Sequence, residues 1–255
     1  DGRDTSKWRL KGHGKPKFFE WLATWSVIMR DPSVYGFDPM PDLPAINIEQ
    51  VEIETTPADT LFAEVANTLS DRSKARRETL EERCAKAAKI INALGGPVLI
   101  WCGLNAEGDL LEKLVDGAVQ VTGSDKDHIK EDRLIGFTDG KYERLITKPK
   151  IAGFGMNWQH CNQMVFVGLS DSFEQYYQAV RRCWRFGQKK DVNVWVITAV
   201  KAGAVVENVR RQQIQADTMM IEMGRIASMF FTGFDQATNE LRAYDPKTTA
   251  PKPTF

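Results

Sequence analysis

Short apolar strands that alternate with helices constrain this chain more than any other feature of its sequence. Residues 98–102 (VLIWC) form a continuous apolar run after a Gly-Gly-Pro turn, which is typical of a buried parallel strand. Further strands are predicted over 118–122, 144–147, 164–168 and 192–197, with helices over 106–116, 125–136 and 173–185. This alternation is typical of βαβ units joined by right-handed crossovers. The sequence therefore predicts an α/β fold built on a parallel sheet with flanking helices.

The segments on either side of this unit have other patterns. Residues 17–30 place apolar side chains at three- and four-residue steps, as an amphipathic helix does. Residues 46–54 alternate apolar with polar and acidic side chains, as a half-exposed strand does. Two more helices are predicted within 58–94, followed after the sheet by one long helix over 204–231 and a loose tail over 235–255.

The composition argues against several classes of protein. The 255 residues carry 34 Lys and Arg against 34 Asp and Glu, so nucleic acid could be bound only by a local patch of charge. Four Cys without a C-x-x-C pair exclude a disulfide scaffold and argue against a cysteine-rich zinc site. No apolar run is long enough for a transmembrane helix. Without a signal core or an initiator Met, the chain is interpreted as a cytoplasmic part of a longer protein.

The segment 175–188 carries the most specific chemical pattern. Gln178 and Arg182 lie one i,i+4 step apart and Arg182 and Arg185 one i,i+3 step apart, so a helix would place them on one face. Such a group forms a fork for phosphate oxygens, because Arg is always charged and binds oxyanions through two nitrogens. From the charges alone, a solvated basic helix face is the competing interpretation.

The spacing Q-A-x-x-R-x-x-R-x-G-Q over 178–188 resembles motif VI of superfamily 2 helicases, in the form found in Swi/Snf-type DNA translocases. The run KIAGFGMN over 150–157 resembles motif V, and the TGS run over 122–124 is a third match in the same order. The resemblance extends over about residues 57–231 and is closest to DEAD/DEAH-box helicase-like proteins of phages and prophages. It implies a RecA-like fold.

The resemblance also implies a division of the chain. Residues 1–56 would be a remnant of the first motor lobe with the helical inter-lobe linker, 57–203 the RecA-like helicase C-terminal domain, and 204–255 a brace helix with a loose tail. Neither a G-x-x-x-x-G-K-[ST] loop nor an acidic DEAD-like box is present in the sequence. ATP and Mg²⁺ would therefore be held mainly by the first lobe, and this chain alone is expected to be inactive as an ATP hydrolase.

The roles of single residues follow from the same resemblance. Arg185 would be the arginine finger on the γ-phosphate, and Arg182 a second phosphate contact or an organiser of the cleft. The nucleotide site or the partner lobe would be contacted by Gln178, Gly153, Gly155 and Asn157. The DNA backbone would be contacted, without reading of bases, by Lys148, Lys150, Thr122, Ser124 and Lys130.

Alternatives stay open for several of these assignments. Thr122 and Ser124 also fit a plain turn with a helix cap, and the two lysines a solvated loop. The four cysteines are expected to be buried or half-buried free thiols, and Trp158 is the tryptophan to test for nucleic-acid contact.

Two functions from different classes remain at this point. In one, the chain is the C-terminal (second) motor lobe of an ATP-dependent DNA helicase or translocase in the cytoplasm of a bacterial host cell. Its partners would be DNA and the other RecA-like lobe of the same protein, with no membrane. The second is a stand-alone RecA-like module that binds a phosphate or a protein partner without hydrolysing ATP.

Overall fold

The structure is a computed structural model that describes residues 12–23, 25, 32–35, 38–53, 76–152, 155–168, 172–199 and 203–230. It divides into one unit of residues 42–213 and another formed by 1–41 with 214–255. The first helix predicted within 58–94, Gly153 of motif V and the tail over 235–255 lie outside the described residues.

Six parallel strands form one sheet in the order β1-β6-β5-β2-β4-β3. The strands are β1 (Ile46–Ile53), β2 (Val98–Trp101), β3 (Ala118–Gln120), β4 (Arg144–Thr147), β5 (Gln163–Phe166) and β6 (Val192–Ala199). Strand β2 is buried along its whole length because it pairs with β5 on one side and β4 on the other, with Leu99 level with Met164 and Leu145. The predicted parallel sheet is confirmed.

Helices cover both faces of this sheet. In chain order, the helices of the described residues are labelled α1 (Lys15–Ala23), α2 (Leu80–Ala93), α3 (Asn105–Leu114), α4 (Asp127–Thr138), α5 (Pro149–Ala152), α6 (Phe173–Val180) and α7 (Gly203–Phe230), and those that cover the sheet lie between α2 and α6. The chain moves one way along the sheet from β2 to β3 and the opposite way from β3 through β4 and β5 to β6. Right-handed crossovers therefore place α3 on one face and α4, α5 and α6 on the other.

The two faces bury different side chains. Small and aliphatic residues of α2 and α3, such as Ala87 and Leu111, fill the first face. The second face is aromatic, with Trp101, Trp158 and Phe166 buried in one cluster. All four cysteines are buried and free, as predicted. Trp158 is 0% exposed and donates its indole N–H to the Thr138 hydroxyl over 3.0 Å, so its suggested contact with nucleic acid is wrong for this fold.

The helix predicted over 173–185 ends at Val180, five residues early. The chain turns here because its main-chain and side-chain groups form hydrogen bonds with segments distant in sequence. The Arg182 carbonyl accepts the Trp158 N–H at 2.9 Å, and the Trp184 indole donates to the Pro44 carbonyl at 2.8 Å. Arg182 and Arg185 consequently lie in turns after α6, so the prediction that a helix carries them was wrong, but the Arg182 side chain does contact Gln178 as the spacing predicted.

The second unit contains α1 and the later part of α7. Phe19 and Met223 are buried together, with Phe18 and Leu22 packed against them. Helix α1 (Lys15–Ala23) overlaps the first part of the helix predicted over 17–30, of which residues 24 and 26–30 lie outside the described residues. Helix α7 matches the long helix predicted over 204–231. Among the helices of the described residues, none has the length and apolar character needed to cross a bilayer.

Candidate functional site

A cavity of about 240 Å³ lies at the carboxyl edge of the sheet, around the end of β2. The loop after β2, the end of β5 and the first turn of α6 form part of its wall. It is lined by Arg76, Cys102, Gly103, Lys148, Pro149, Lys150, Phe166, Gly168, Gln175 and Tyr176. Strand β2 connects to a helix on one face, while its neighbours β4 and β5 connect to helices on the other. Such a switch point leaves a crevice between the diverging loops, and ligands of open α/β sheets bind there.

The charges that line the cavity are all positive. Arg76, Lys148 and Lys150 contribute three cations, and no carboxylate belongs to its lining among the described residues. The Lys148 ammonium donates a hydrogen bond to the side-chain carbonyl of Asn105, the first residue of α3. This hydrogen bond joins the loop after β4 to the start of α3 at the carboxyl edge. The cavity therefore has the electrostatics of an anion site.

Arg76 is a site residue that the sequence analysis did not identify. Its guanidinium lies over Gly103, since a Cβ at that glycine would be 2.5 Å from Nη2. Its Nε is buried and has no hydrogen-bond partner in the part of the chain that the structure describes. Arg76 stands in a basic run, RSKARR, whose residues have no distinguishing spacing, so only the fold singles it out.

Arg182 lies in a second polar cluster, formed by motifs V and VI. It is 9% exposed and donates through all three guanidinium nitrogens: Nε to the Gln178 carbonyl at 3.0 Å, Nη1 to the Met156 carbonyl at 3.1 Å, and Nη2 to the Gln178 side-chain oxygen at 3.2 Å. Burial, and then the neighbouring Arg185 charge, lower the pKa of Arg182. The Arg182 guanidinium therefore joins the turn after α6 to Gln178 and to the motif V loop.

Arg185 differs from Arg182 in how its donors are used. It is half-buried, and its Nη1 donates to the Asn157 side-chain oxygen. No other hydrogen bond of this guanidinium occurs within the described residues. Asn157 thus joins motif V to motif VI, next to Gly155, whose φ of +81° suits glycine at this turn. The structure brings Arg185, Arg182, Gln178 and Asn157 together.

The loop after β3 forms a self-contained turn outside the cavity lining. The Thr122 N–H donates to Asp125 Oδ2 at 2.8 Å, and the Thr122 and Ser124 hydroxyls share a hydrogen bond of 3.1 Å. Burial raises the pKa of Asp125, but the hydrogen bonds from Thr122 and the nearby Arg133 charge outweigh it, and the pKa is lowered. The Lys130 Nζ lies 3.8 Å from Asp127 Oδ1. Of the predicted DNA contacts, Lys148 and Lys150 line the cavity, and Thr122, Ser124 and Lys130 do not.

Metal ligands do not converge in the described ranges between residues 12 and 230. No group of three or more His, Cys, Asp or Glu side chains there could hold a metal ion.

A comparison with known protein families gives a match to the segment that carries strands β2 to β5. Residues 82–187 match the family described as the helicase conserved C-terminal domain. The fold is that of a helicase C-terminal domain. The match extends from the first turn of α2 to Gly187 in motif VI and includes Lys148, Arg182 and Arg185, whereas Arg76 and β6 lie outside it.

Two solved structures are similar to this chain. One is the C-terminal part of the Fun30 ATPase domain, with 20% identity, a TM-score of 0.45, and coverage of 50% of this chain and 44% of that chain. The other is the C-terminal domain of the DEAD-box protein Dbp5, with 10% identity, a TM-score of 0.47, and coverage of 67% and 84%. The chain thus spans less than half of the Fun30 structure. No curated protein matches the sequence.

Proposed function

We propose that this chain is the second, C-terminal motor lobe of an ATP-dependent DNA helicase or translocase of superfamily 2. The observation that carries the proposal is the cavity at the switch point of the sheet, which is lined by three cations and by no carboxylate among the described residues. Phosphate groups of a nucleic-acid backbone have the charge that this cavity favours, and backbone contacts need no reading of bases. The Swi/Snf-like motif spacing, the phage-type origin and the cytoplasmic location belong to the same proposal.

The motif V and VI cluster would serve the nucleotide. Arg185 has guanidinium nitrogens beyond the one used by Asn157, so it suits a finger that reaches a γ-phosphate held by the first lobe. Arg182 would hold that turn in place from within the domain. ATP and Mg²⁺ would be held mainly by the first lobe, so this chain alone is expected to release no phosphate from ATP.

The salt dependence of DNA binding tests the cavity. Each phosphate contact contributes about 0.9 to the slope of log affinity against log salt for a duplex. Replacing Lys148 and Lys150 together by Ala should therefore flatten this slope by roughly 2, equally for unrelated sequences, and Arg76→Ala should remove about 1 more. The measurement is fluorescence anisotropy of a labelled duplex across a range of salt concentrations.

A matched pair of lysines provides the control. Lys189 and Lys190 are adjacent, exposed and placed just before the amino end of β6, at the opposite edge of the sheet from the cavity. Their double replacement by Ala removes the same charge and should leave the slope unchanged. Equal slopes for the two double variants would place the DNA contacts outside the cavity.

A further inference from the structure

A buried ion pair lies next to the cavity without being part of its lining. Arg83 of α2 and Glu107 of α3 face each other with 2.7 Å between Nη2 and Oε1, and their side chains are 3% and 0% exposed. Removing two charges from water offsets most of their mutual attraction, so such a pair contributes little net stability. Its contacts with the main chain indicate a different role.

Glu107 holds the loop that follows β2. Its Oε2 accepts the N–H groups of Gly103 at 2.7 Å and Leu104 at 2.9 Å. The carboxylate also packs closely on Gly168, where an added Cβ would lie 2.5 Å from Oε2. Gly103 and Gly168 both line the cavity, so one carboxylate fixes two parts of its wall.

Arg83 holds the remaining side of the cavity. Its guanidinium donates to the Arg76 carbonyl over 2.5 Å and to the carbonyl of Val167, the residue before Gly168. Its Nε donates to the Thr79 hydroxyl at 3.2 Å. The pair thus contacts the main chain at Arg76, at the loop after β2 and at the end of β5, which are three segments of the cavity wall.

We propose that Glu107, with Arg83 as its counter-charge, is a positioning residue that presets the cavity for a phosphate group. This inference rests on the proposed function. Main-chain segments that are already fixed lose less conformational freedom when a ligand binds, which increases affinity. A carboxylate is the strong acceptor that the two amides need, and Arg83 neutralises it, so the field in the cavity stays favourable for an anion.

Two double variants separate positioning from simple stability. Arg83→Met with Glu107→Gln and Arg83→Met with Glu107→Leu both remove the two charges, so neither leaves a buried charge unpaired. They differ in the acceptor at position 107, which Gln keeps and Leu lacks. The readouts are affinity for a labelled DNA duplex, amide hydrogen exchange at Gly103 and Leu104, and thermal unfolding.

Both variants lose the Arg83 contacts with the Arg76 and Val167 carbonyls, so both should bind DNA more weakly than the wild type. The Leu variant should bind about tenfold more weakly than the Gln variant, as expected for loss of roughly one favourable contact. Exchange at Gly103 and Leu104 should be fast only in the Leu variant. Equal affinity and equal exchange in the two variants would overturn the proposal.

The wild type provides a measurement that does not depend on the variants folding. Its Gly103 and Leu104 amides lie outside the strands, yet they should exchange as slowly as strand amides, because Glu107 holds both. Exchange at the rate of an exposed loop would refute the positioning role. If the wild type binds no duplex, the proposed function fails, and the exchange contrast still decides the role of Glu107.

Discussion

The cavity and the motif V–VI cluster both concentrate positive charge, but they use it differently. In the cavity, Arg76, Lys148 and Lys150 line open space, and Arg76 has a buried nitrogen without a partner among the described residues. In the cluster, Arg182 donates from all three guanidinium nitrogens to neighbouring oxygens. The difference teaches that an arginine in a motif can be a ligand group or an internal brace, depending on whether its donors are already occupied.

The largest expected effect separates Arg185 from Arg182 within the cluster. Arg185→Ala should lower DNA-stimulated ATP turnover of the full-length motor by about 10³-fold and leave nucleotide affinity within a few-fold, because the guanidinium acts mainly on charge that develops in the transition state. Arg185→Lys should restore only part of the rate, since an ammonium lacks the planar fork. Steady-state phosphate release measures both.

Arg181→Ala is the control for this experiment. The Arg181 guanidinium lies over the rings of Tyr177 and Trp184 and donates to the Trp184 carbonyl. It therefore contacts different groups from Arg185, which donates to Asn157. Its loss should reduce turnover far less than the loss of Arg185. Equal and mild effects at both positions, in folded protein, would remove the finger assignment.

The next effect concerns stability rather than turnover. Arg182→Ala should lower the free energy of unfolding by about 2–4 kcal/mol, because it deletes three hydrogen bonds from a charged donor and leaves the Met156 and Gln178 oxygens unpaired. Urea unfolding of this chain measures the change. Arg185→Ala is the matched variant and should lower the free energy of unfolding by well below about 1 kcal/mol. A similar loss of stability in the two variants would mean that Arg182 does not hold the turn in place more than Arg185 does.

The smallest effect tests the self-contained turn after β3. Asp125→Ala should cost about 1 kcal/mol at neutral pH, since the Thr122 N–H loses its acceptor. The Asp125 pKa is lowered in the folded chain, so its contribution is present above the ordinary value of 3.8 and is lost as the pH falls through the lowered pKa. Unfolding curves from about pH 7 to about pH 3 should show the variant and wild type converging on the acid side. A constant difference would mean that the carboxylate charge is irrelevant.

The sheet could be predicted from the sequence because its signals are local. Apolar runs such as 98–102 and 144–147 became β2 and β4 with bounds within a residue or so, and the helices between strands shifted by about two residues. The end of α6 could not be predicted in this way. The i,i+3 and i,i+4 spacing of Gln178, Arg182 and Arg185 fits a longer helix, but contacts from Trp158 and Pro44 end it.

The candidate site follows the same division. The resemblance to the family's motifs implied roles for Lys148, Lys150, Arg182 and Arg185, because these residues lie within or beside short segments of recognisable pattern. It could not identify Arg76, which lines the cavity, or Glu107, which lies behind the cavity wall, because the two come from separate segments of the chain that the order of the strands brings close together. It also could not tell that Thr122 and Ser124 bond to each other instead of lining that cavity.

The sequence by itself determined the parallel α/β architecture and the segments that carry charge, since periodicity and spacing act over a few residues. Only the tertiary structure decided which charged groups keep unused donors. Whether a guanidinium is occupied depends on carbonyls from distant parts of the chain, as when Arg182 bonds to Met156, 26 residues earlier. No local sequence pattern encodes such a contact, because it forms only when motifs V and VI pack against each other in the folded chain.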